Sequence, residues 1–253
     1  LGDQIDLVVS PARLGKTHGM NLLVARATTD IIVFTDAAVT MGPNALPSML
    51  REFQADPAVG CVCGRIVAVK GGDDASFSVT ASTSKRYWAF DATVRDLESR
   101  VASVIGAHGP LFAIRRSLHS PAPVEYFDDF FVSMDILLKG HRAIQSDEFV
   151  AYKAVATKRG DEFRRKIRIA CQSFHIHRLL APRLRQQSAL IRYCYASHKT
   201  LRWLTIFSLA AAALAGTGWM IATGLGLYAL SAWLLFGALM ALGSLHVRPF
   251  SAA

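Results

Sequence analysis

Between Trp203 and Leu245 the sequence runs for 43 residues without one Asp, Glu, Lys or Arg. No other stretch constrains the fold as tightly. At ~1.5 Å per residue a continuous helix of that length would reach roughly 64 Å, about twice a ~30 Å hydrocarbon layer. Two shorter helices joined by a tight turn at Gly224-Leu225-Gly226 fit better. The stretch therefore predicts a membrane-spanning helical hairpin, and it explains a mean hydropathy of +0.29 in a chain of 253 residues.

The charge is as local as the hydropathy. Of the net +9, the whole excess lies between Arg159 and Arg202, where eleven Lys and Arg meet only Asp161 and Glu162. The remainder of the chain balances. Basic residues just before a span mark the cytoplasmic side and are drawn to anionic lipid, so membrane lipid is favoured as a partner over nucleic acid. With His246 and Arg248 after the second span, both ends of the hairpin face the cytoplasm of a cell's inner membrane. Phe163, Ile167, Ile169, Phe174, Leu179 and Leu180 give residues 161–200 the look of basic amphipathic helices lying in the interface. Cys61, Cys63, Cys171 and Cys194 show neither zinc spacing nor a paired pattern and read as buried free thiols. The chain opens on Leu1-Gly2-Asp3 with no methionine, which predicts a start further upstream.

The first 160 residues alternate strand-like and helix-like patterns. Ile5–Val9 reads as a strand, and Met20, Leu23, Val24 and Ala27 follow helical spacing after Gly15-Lys16. Ile31-Ile32-Val33-Phe34 is a run short and apolar enough for a strand buried on both faces, and the β-loop-α-β order predicts a parallel sheet here. A helix opening at Pro43 reaches about Gln54, Val59–Val69 is a strand, and 84–104 is a helix with Tyr87, Trp88, Val94, Leu97 and Val101 as its apolar positions. A loop at Gly71-Gly72-Asp73-Asp74, a short strand at Leu111–Ile114, and a helix from Asp128 to a stop at Gly140 follow. Ala143-Ile144 and Phe149–Tyr152 are strand-like pieces. The fold class is α/β, with domains at 1–160, 161–200 and 201–253.

Two acidic landmarks carry the chemistry. Asp36 ends the Ile31 strand, where an acid suits a ribose hydroxyl, a metal bridging phosphates, or a plain turn cap. Asp128 and Asp129 open a helix, where the dipole alone would favour them. An acid at a strand end, a Gly-Lys loop, a glycine-rich loop, a second acid pair and a membrane hairpin together suit a nucleotide-diphosphate sugar. Its diphosphate needs cations nearby, and the acceptor hydroxyl needs a base.

Gly15-Lys16 through Asn21, Ile32–Ala38, Pro43–Leu46, Leu97–Arg100, Gly106-Ala107-His108-Gly109, Ala113–Arg116, Asp128-Asp129-Phe130 and the basic run from Phe163 to Gln172 occur in an order that resembles family-2 glycosyltransferases. The resemblance implies a mixed-sheet, Rossmann-like GT-A domain, here without its first strand, that transfers a sugar with inversion from a nucleotide-diphosphate sugar, a UDP-sugar foremost, to a polysaccharide or lipid-linked acceptor. It implies Mg²⁺ or Mn²⁺ as cofactor. Under it, Lys16, Asn21 and Asp36 lie at the nucleotide, with Asp36 as metal ligand. Asp129 is the base, while Gly106, Gly109, Asp128, Arg165, Arg168 and Gln172 serve the acceptor and the diphosphate. Two departures stand out. Ala38 occupies the third place of the first acidic motif, where a methyl group cannot ligate a cation, and no Trp follows Gln172.

Overall fold

A single five-stranded sheet organises the first part of the chain. In the computed structural model the described residues are 5–10, 12–37, 39–69, 79–123, 128–154 and 159–246. Ala38, the Gly71–Asp74 loop and the tail after His246 lie outside them, as do the side chains of Tyr87, Trp88, Asp128 and Arg165. The strands are β1 (Ile31–Thr35), β2 (Val39–Met41), β3 (Val59–Val69), β4 (Leu111–Arg115) and β5 (Arg142–Ala154), in the order β1-β4-β3-β5-β2. Among these described strands only β3 and β5 are parallel; β1 with β4, β4 with β3 and β2 with β5 are antiparallel.

The mixed sheet corrects three readings. Residues 5–9 form no strand, and Ile5, Leu7 and Val9 point into solvent. Without that strand the β-loop-α-β argument for a parallel start fails, and β1 pairs antiparallel with β4. Sitting at the sheet edge among the described strands, β1 is half-buried rather than enclosed on both faces. Its Phe34 ring stacks on Phe112 of β4 with centroids 4.6 Å apart.

Helices cover the sheet on both sides. Ala45, Met49 and Phe53 of α2 (Ala45–Ala55) meet Val59, Val62, Leu111, Ala113, Ile144, Phe149 and Ala151 in one cluster. α2 starts at Ala45, two residues after Pro43, because Asn44 takes the position before the first turn. On the opposite face α4 (Asp128–Leu138) buries every side chain from Phe130 to Leu138. Its Ile136 packs so closely on β3 that a Cβ at Gly60 would come within 2.6 Å. α1 (Lys16–Arg26) and α3 (Val79–Val101) complete the first unit, together with the second half of α5 (Arg159–Leu184) and α6 (Ala189–Tyr195). Arg183 of α5 is anchored on α4 by a 2.5 Å ion pair with buried Asp135, which Lys139 also contacts at 2.8 Å.

The two pieces expected after Gly140 are one strand with an excursion. Pairing passes from Cys63↔Gln145 to Arg65↔Val150, so β5 spends more residues than β3 at that point. The excursion turns Asp147 towards Arg65 and Glu148 towards Arg51, while Phe149 returns to the core. All four cysteines are free, and Cys171 differs from the other three in being exposed.

The chain divides into two units, 1–156 with 171–195, and 157–170 with 196–253. The second contains α7 (Leu201–Ala222) and α8 (Gly226–His246), antiparallel helices joined where the turn was expected. Gly224 has φ +79°, and the Leu225 and Gly224 amides bond the carbonyls of Met220 and Ile221 at 2.7 and 3.1 Å. This is a Schellman close, and the left-handed residue in it favours glycine. Trp233 Nε1 donates across the hairpin to Thr217 Oγ1 at 2.9 Å. Taken singly, no described helix is long and apolar enough to cross a membrane; the bent pair Ala189–Thr205 and Phe207–Ala222 meets that length and composition together.

Candidate active site

Three chain segments converge at the carboxyl end of β1. The turn after β1 is closed by the main-chain carbonyl of Asp36, 3.3 Å from the Val39 amide, which leaves the carboxylate for other work. Lys16, the first residue of α1, places Nζ 3.0 Å from Asp36 Oδ1. Lys153, near the end of β5, places its Nζ 3.8 Å from Oδ2. Thus the acid at the strand end faces two ammonium groups, one of which the sequence reading named and one of which it missed. No periodicity or motif pointed to Lys153. Its approach depends on the register that pairs it with Val39, three residues after Asp36.

The glycine-rich loop links this acid to the second one. The Asp36 amide donates to the carbonyl of Pro110 at 3.2 Å. The preceding residue, Gly109, is so close to Asp129 that a Cβ there would lie 2.7 Å from Asp129 Oδ2. Gly106 has φ +84°, and its Cβ would fall 2.5 Å from the Phe130 ring. Gly106 is therefore required by the aromatic at the start of α4, Gly109 leaves room for the neighbouring acid, and the loop is moulded onto that helix end. Asp129 is half-exposed, and its Oδ1 accepts the Phe130 amide at 2.8 Å.

What holds the loop is a polar network from α3. Asp91 Oδ2 lies 2.9 Å from Arg95 Nε and 3.2 Å from His108 Nε2. Arg95 Nη1 donates to the Gly106 carbonyl at 2.7 Å, and Glu98 Oε2 accepts the Ile105 amide at 3.1 Å. Ser133 of α4 accepts from the Ala107 amide at 2.8 Å and donates to the Asp129 carbonyl at 2.6 Å. Asp91, Arg95 and Glu98 are buried, whereas Leu97 and Val101 are 57% and 63% exposed. The inward face of α3 is its polar one, the reverse of what its apolar positions suggested. The stripe at 91, 95 and 98 has the i, i+4, i+7 spacing of one helix face, and that was the signal available in the sequence. Buried charges are tolerated there because Asp91 and Arg95 pair with each other and Glu98 accepts a main-chain amide.

The remaining candidates separate. Asn21 uses both ends of its amide on Ala122, donating to the carbonyl at 2.7 Å and accepting the amide at 3.1 Å, so it latches α1 to the loop before α4. Gln172 is half-buried on the part of α5 that belongs to the first unit. Arg165 and Arg168 lie on the part belonging to the second, and Arg168 is exposed. Asp128 opens α4, beside Asp129. The described residues contain no group of three or more His, Cys, Asp or Glu able to hold a metal ion. Chemically, the arrangement sets a half-exposed carboxylate beside a loop, and a pair of cations at the adjoining strand end.

Residues 1–120 match the model for glycosyl transferase family 2. A mannosyltransferase from Pyrobaculum calidifontis, solved with GDP-mannose and Mn²⁺, is similar over 94% of this chain and 63% of its own, at 28% identity and a TM-score of 0.62. An N-acetylglucosaminyltransferase of Rhizobium leguminosarum is 23% identical over 99% of this chain and 58% of its own length. A weaker likeness, TM-score 0.33, is to glucosyl-3-phosphoglycerate synthase from Mycobacterium tuberculosis, solved with Mn²⁺ and UDP-glucose; it covers 62% of this chain and 51% of that one at 18% identity. The chain thus spans about three fifths of the first two relatives. The sheet, with its helices on both sides, has the mixed α/β GT-A fold that the motifs imply.

Proposed function

We propose that this chain transfers a sugar with inversion from a nucleotide-diphosphate sugar, a UDP-sugar foremost, to a polysaccharide or lipid-linked acceptor at the cytoplasmic face of a membrane. One observation carries the reading: a single loop lies beside both acids, Gly109 packed close to the Asp129 carboxylate and the Pro110 carbonyl accepting the Asp36 amide. The reading takes Asp129 as the base and the Lys16–Asp36–Lys153 cluster as the phosphate side of the site. The family match and the mannosyltransferase solved with GDP-mannose support the same reading.

In the reaction, the acceptor hydroxyl loses its proton to Asp129 as its oxygen attacks the anomeric carbon. The nucleoside diphosphate departs from the opposite side, and inversion follows from that geometry. Lys16 draws off the charge that grows on the leaving diphosphate. For a divalent cation, Asp36 offers one carboxylate, Ala38 offers none, and two lysines face the carboxylate. That donor set does not fit a protein-held metal, and no step is routed through one.

The membrane reading rests on the surface of the hairpin. Phe207, Leu209, Leu214, Trp219, Leu227 and Leu234 are all more than 60% exposed on helices without a charge between Trp203 and Leu245. Helices apolar all round belong in lipid or in a larger core. The bent pair Ala189–Thr205 and Phe207–Ala222 has, taken together, the length and composition of a span. A second reading, a silent membrane subunit, is favoured by Ala38 alone. Asp129→Asn in the full chain separates them: under the first reading sugar transfer falls by roughly 10²–10⁴-fold while nucleotide binding persists. Unchanged turnover would remove Asp129 as base, and no turnover with any donor by the unmodified chain would favour the subunit.

A further inference from the structure

We propose that Lys153 is a second phosphate-binding lysine, and that Lys16 and Lys153 together neutralise the donor's diphosphate in place of a protein-held divalent cation. This rests on the donor reading above and adds to it the identity of the countercharge. The two ammonium groups arrive from different elements, the start of α1 and the end of β5, and meet at the two oxygens of one carboxylate, 3.0 and 3.8 Å away. Asp36 is the spacer between them. It holds the two ammonium groups near one another, so an anion meets them as a pair.

Charge counting points the same way. Two lysines and one aspartate leave the cluster at +1, facing a diphosphate that carries negative charge. A second acid in place of Ala38 would cancel that surplus and call for a metal ion; the alanine leaves it intact. Lysine binds phosphate as a mobile point charge with three donors, which suits a group that must be released as product. Asp36 is about one-third exposed, and so is Lys153, which gives an anion access to both. The register Val39↔Lys153 sets this placement, because β2 begins directly after the Asp36 turn.

The test is calorimetric binding of UDP and of GDP to the full chain in detergent, in EDTA and then with Mn²⁺, with uridine and guanosine as phosphate-free controls. The expected result is binding of a nucleoside diphosphate in EDTA that Mn²⁺ changes by less than about threefold. Lys153→Met weakens that binding about tenfold, Lys153→Arg restores most of it, and the nucleosides are unaffected. Should Lys153→Met not fold, Lys16→Met at the exposed start of α1 is expected to give the same loss. Binding that needs Mn²⁺ and is indifferent to Lys153→Met overturns the lysine pair and leaves the glycosyltransferase reading standing. Absence of binding by either diphosphate under both conditions overturns the two together.

Discussion

The carboxylate of Asp129 occupies the space where Gly109 would carry a side chain, Oδ2 standing 2.7 Å from the ideal Cβ position. Both residues are fixed from behind, Asp129 at the first turn of α4 and Gly109 by the turn that hands Pro110 to Asp36. A methyl group at 109 must therefore displace the carboxylate, which is the movable partner. Gly109→Ala is expected to leave the thermal midpoint almost unchanged while lowering kcat by roughly 10²-fold, the cost of misplacing a reacting group by about 1 Å. Side-by-side melting curves and steady-state rates check it. Loss of fold with the rate intact would contradict the placement.

Gly106 makes the opposite prediction. Its φ of +84° costs a non-glycine residue about 1–2 kcal/mol, and its Cβ would enter the Phe130 ring at 2.5 Å. Overpacking adds about 1–3 kcal/mol. Gly106→Ala is thus expected to lower stability by roughly 2–5 kcal/mol, read from the midpoint of denaturant unfolding.

Asn21 distinguishes a latch from a ligand. Its two bonds to Ala122 cross 101 residues of sequence, so Asn21→Ala should cost about 1–2 kcal/mol of stability. Affinity for a nucleoside diphosphate is expected to stay within the error of the measurement. A large loss of affinity at unchanged stability would return Asn21 to the nucleotide.

Acid sensitivity should trace to Asp135. Burial would raise its pKa, but hydrogen bonds from Lys139, Arg183 and Ser120 outweigh this and hold it below the ordinary carboxylate value. A carboxyl with a depressed folded pKa contributes stability above its unfolded pKa of about 4, and the contribution is lost as pH falls through the folded value. Unfolding free energy should therefore drop below about pH 4. In Asp135→Asn the protein should be weaker at neutral pH and its acid slope shallower, because Arg183 and Lys139 lose their shared partner. An identical slope in the variant would assign the acid transition elsewhere.

The sequence made much of this site readable, for uneven reasons. Short apolar runs located β1, β3 and β4, and the acid pair located α4, since these signals are local. The direction of β1 was misjudged because strand pairing is a tertiary property, and one missing strand at residues 5–9 removed the premise for a parallel pair. The inward face of α3 was misjudged because a helix usually buries its apolar side. Here Asp91, Arg95 and Glu98 go inward to hold main-chain groups of a loop that has few of its own partners. Lys153 was invisible for a third reason. Nothing near it in sequence differs from an ordinary solvated lysine, and only the pairing of β5 with β2 brings it to Asp36.

That pairing treats position along β5 as an address with two separate origins. The excursion after Gln145 uncouples the first residues of the strand from the last, and pairing with β3 resumes at Val150. A residue added or removed at 147–148 can be absorbed by the excursion, at the expense of the Asp147 and Glu148 contacts. The same change between Val150 and Lys153 has nowhere to go. With a side-chain period of two, it would turn Lys153 to the other face of the sheet and carry its charge away from Asp36. The two exposed residues of the excursion thus tolerate length variation, and the four residues from Val150 are held to a fixed count by their pairing with β3, by Ala151 in the core and by the ammonium group at Asp36.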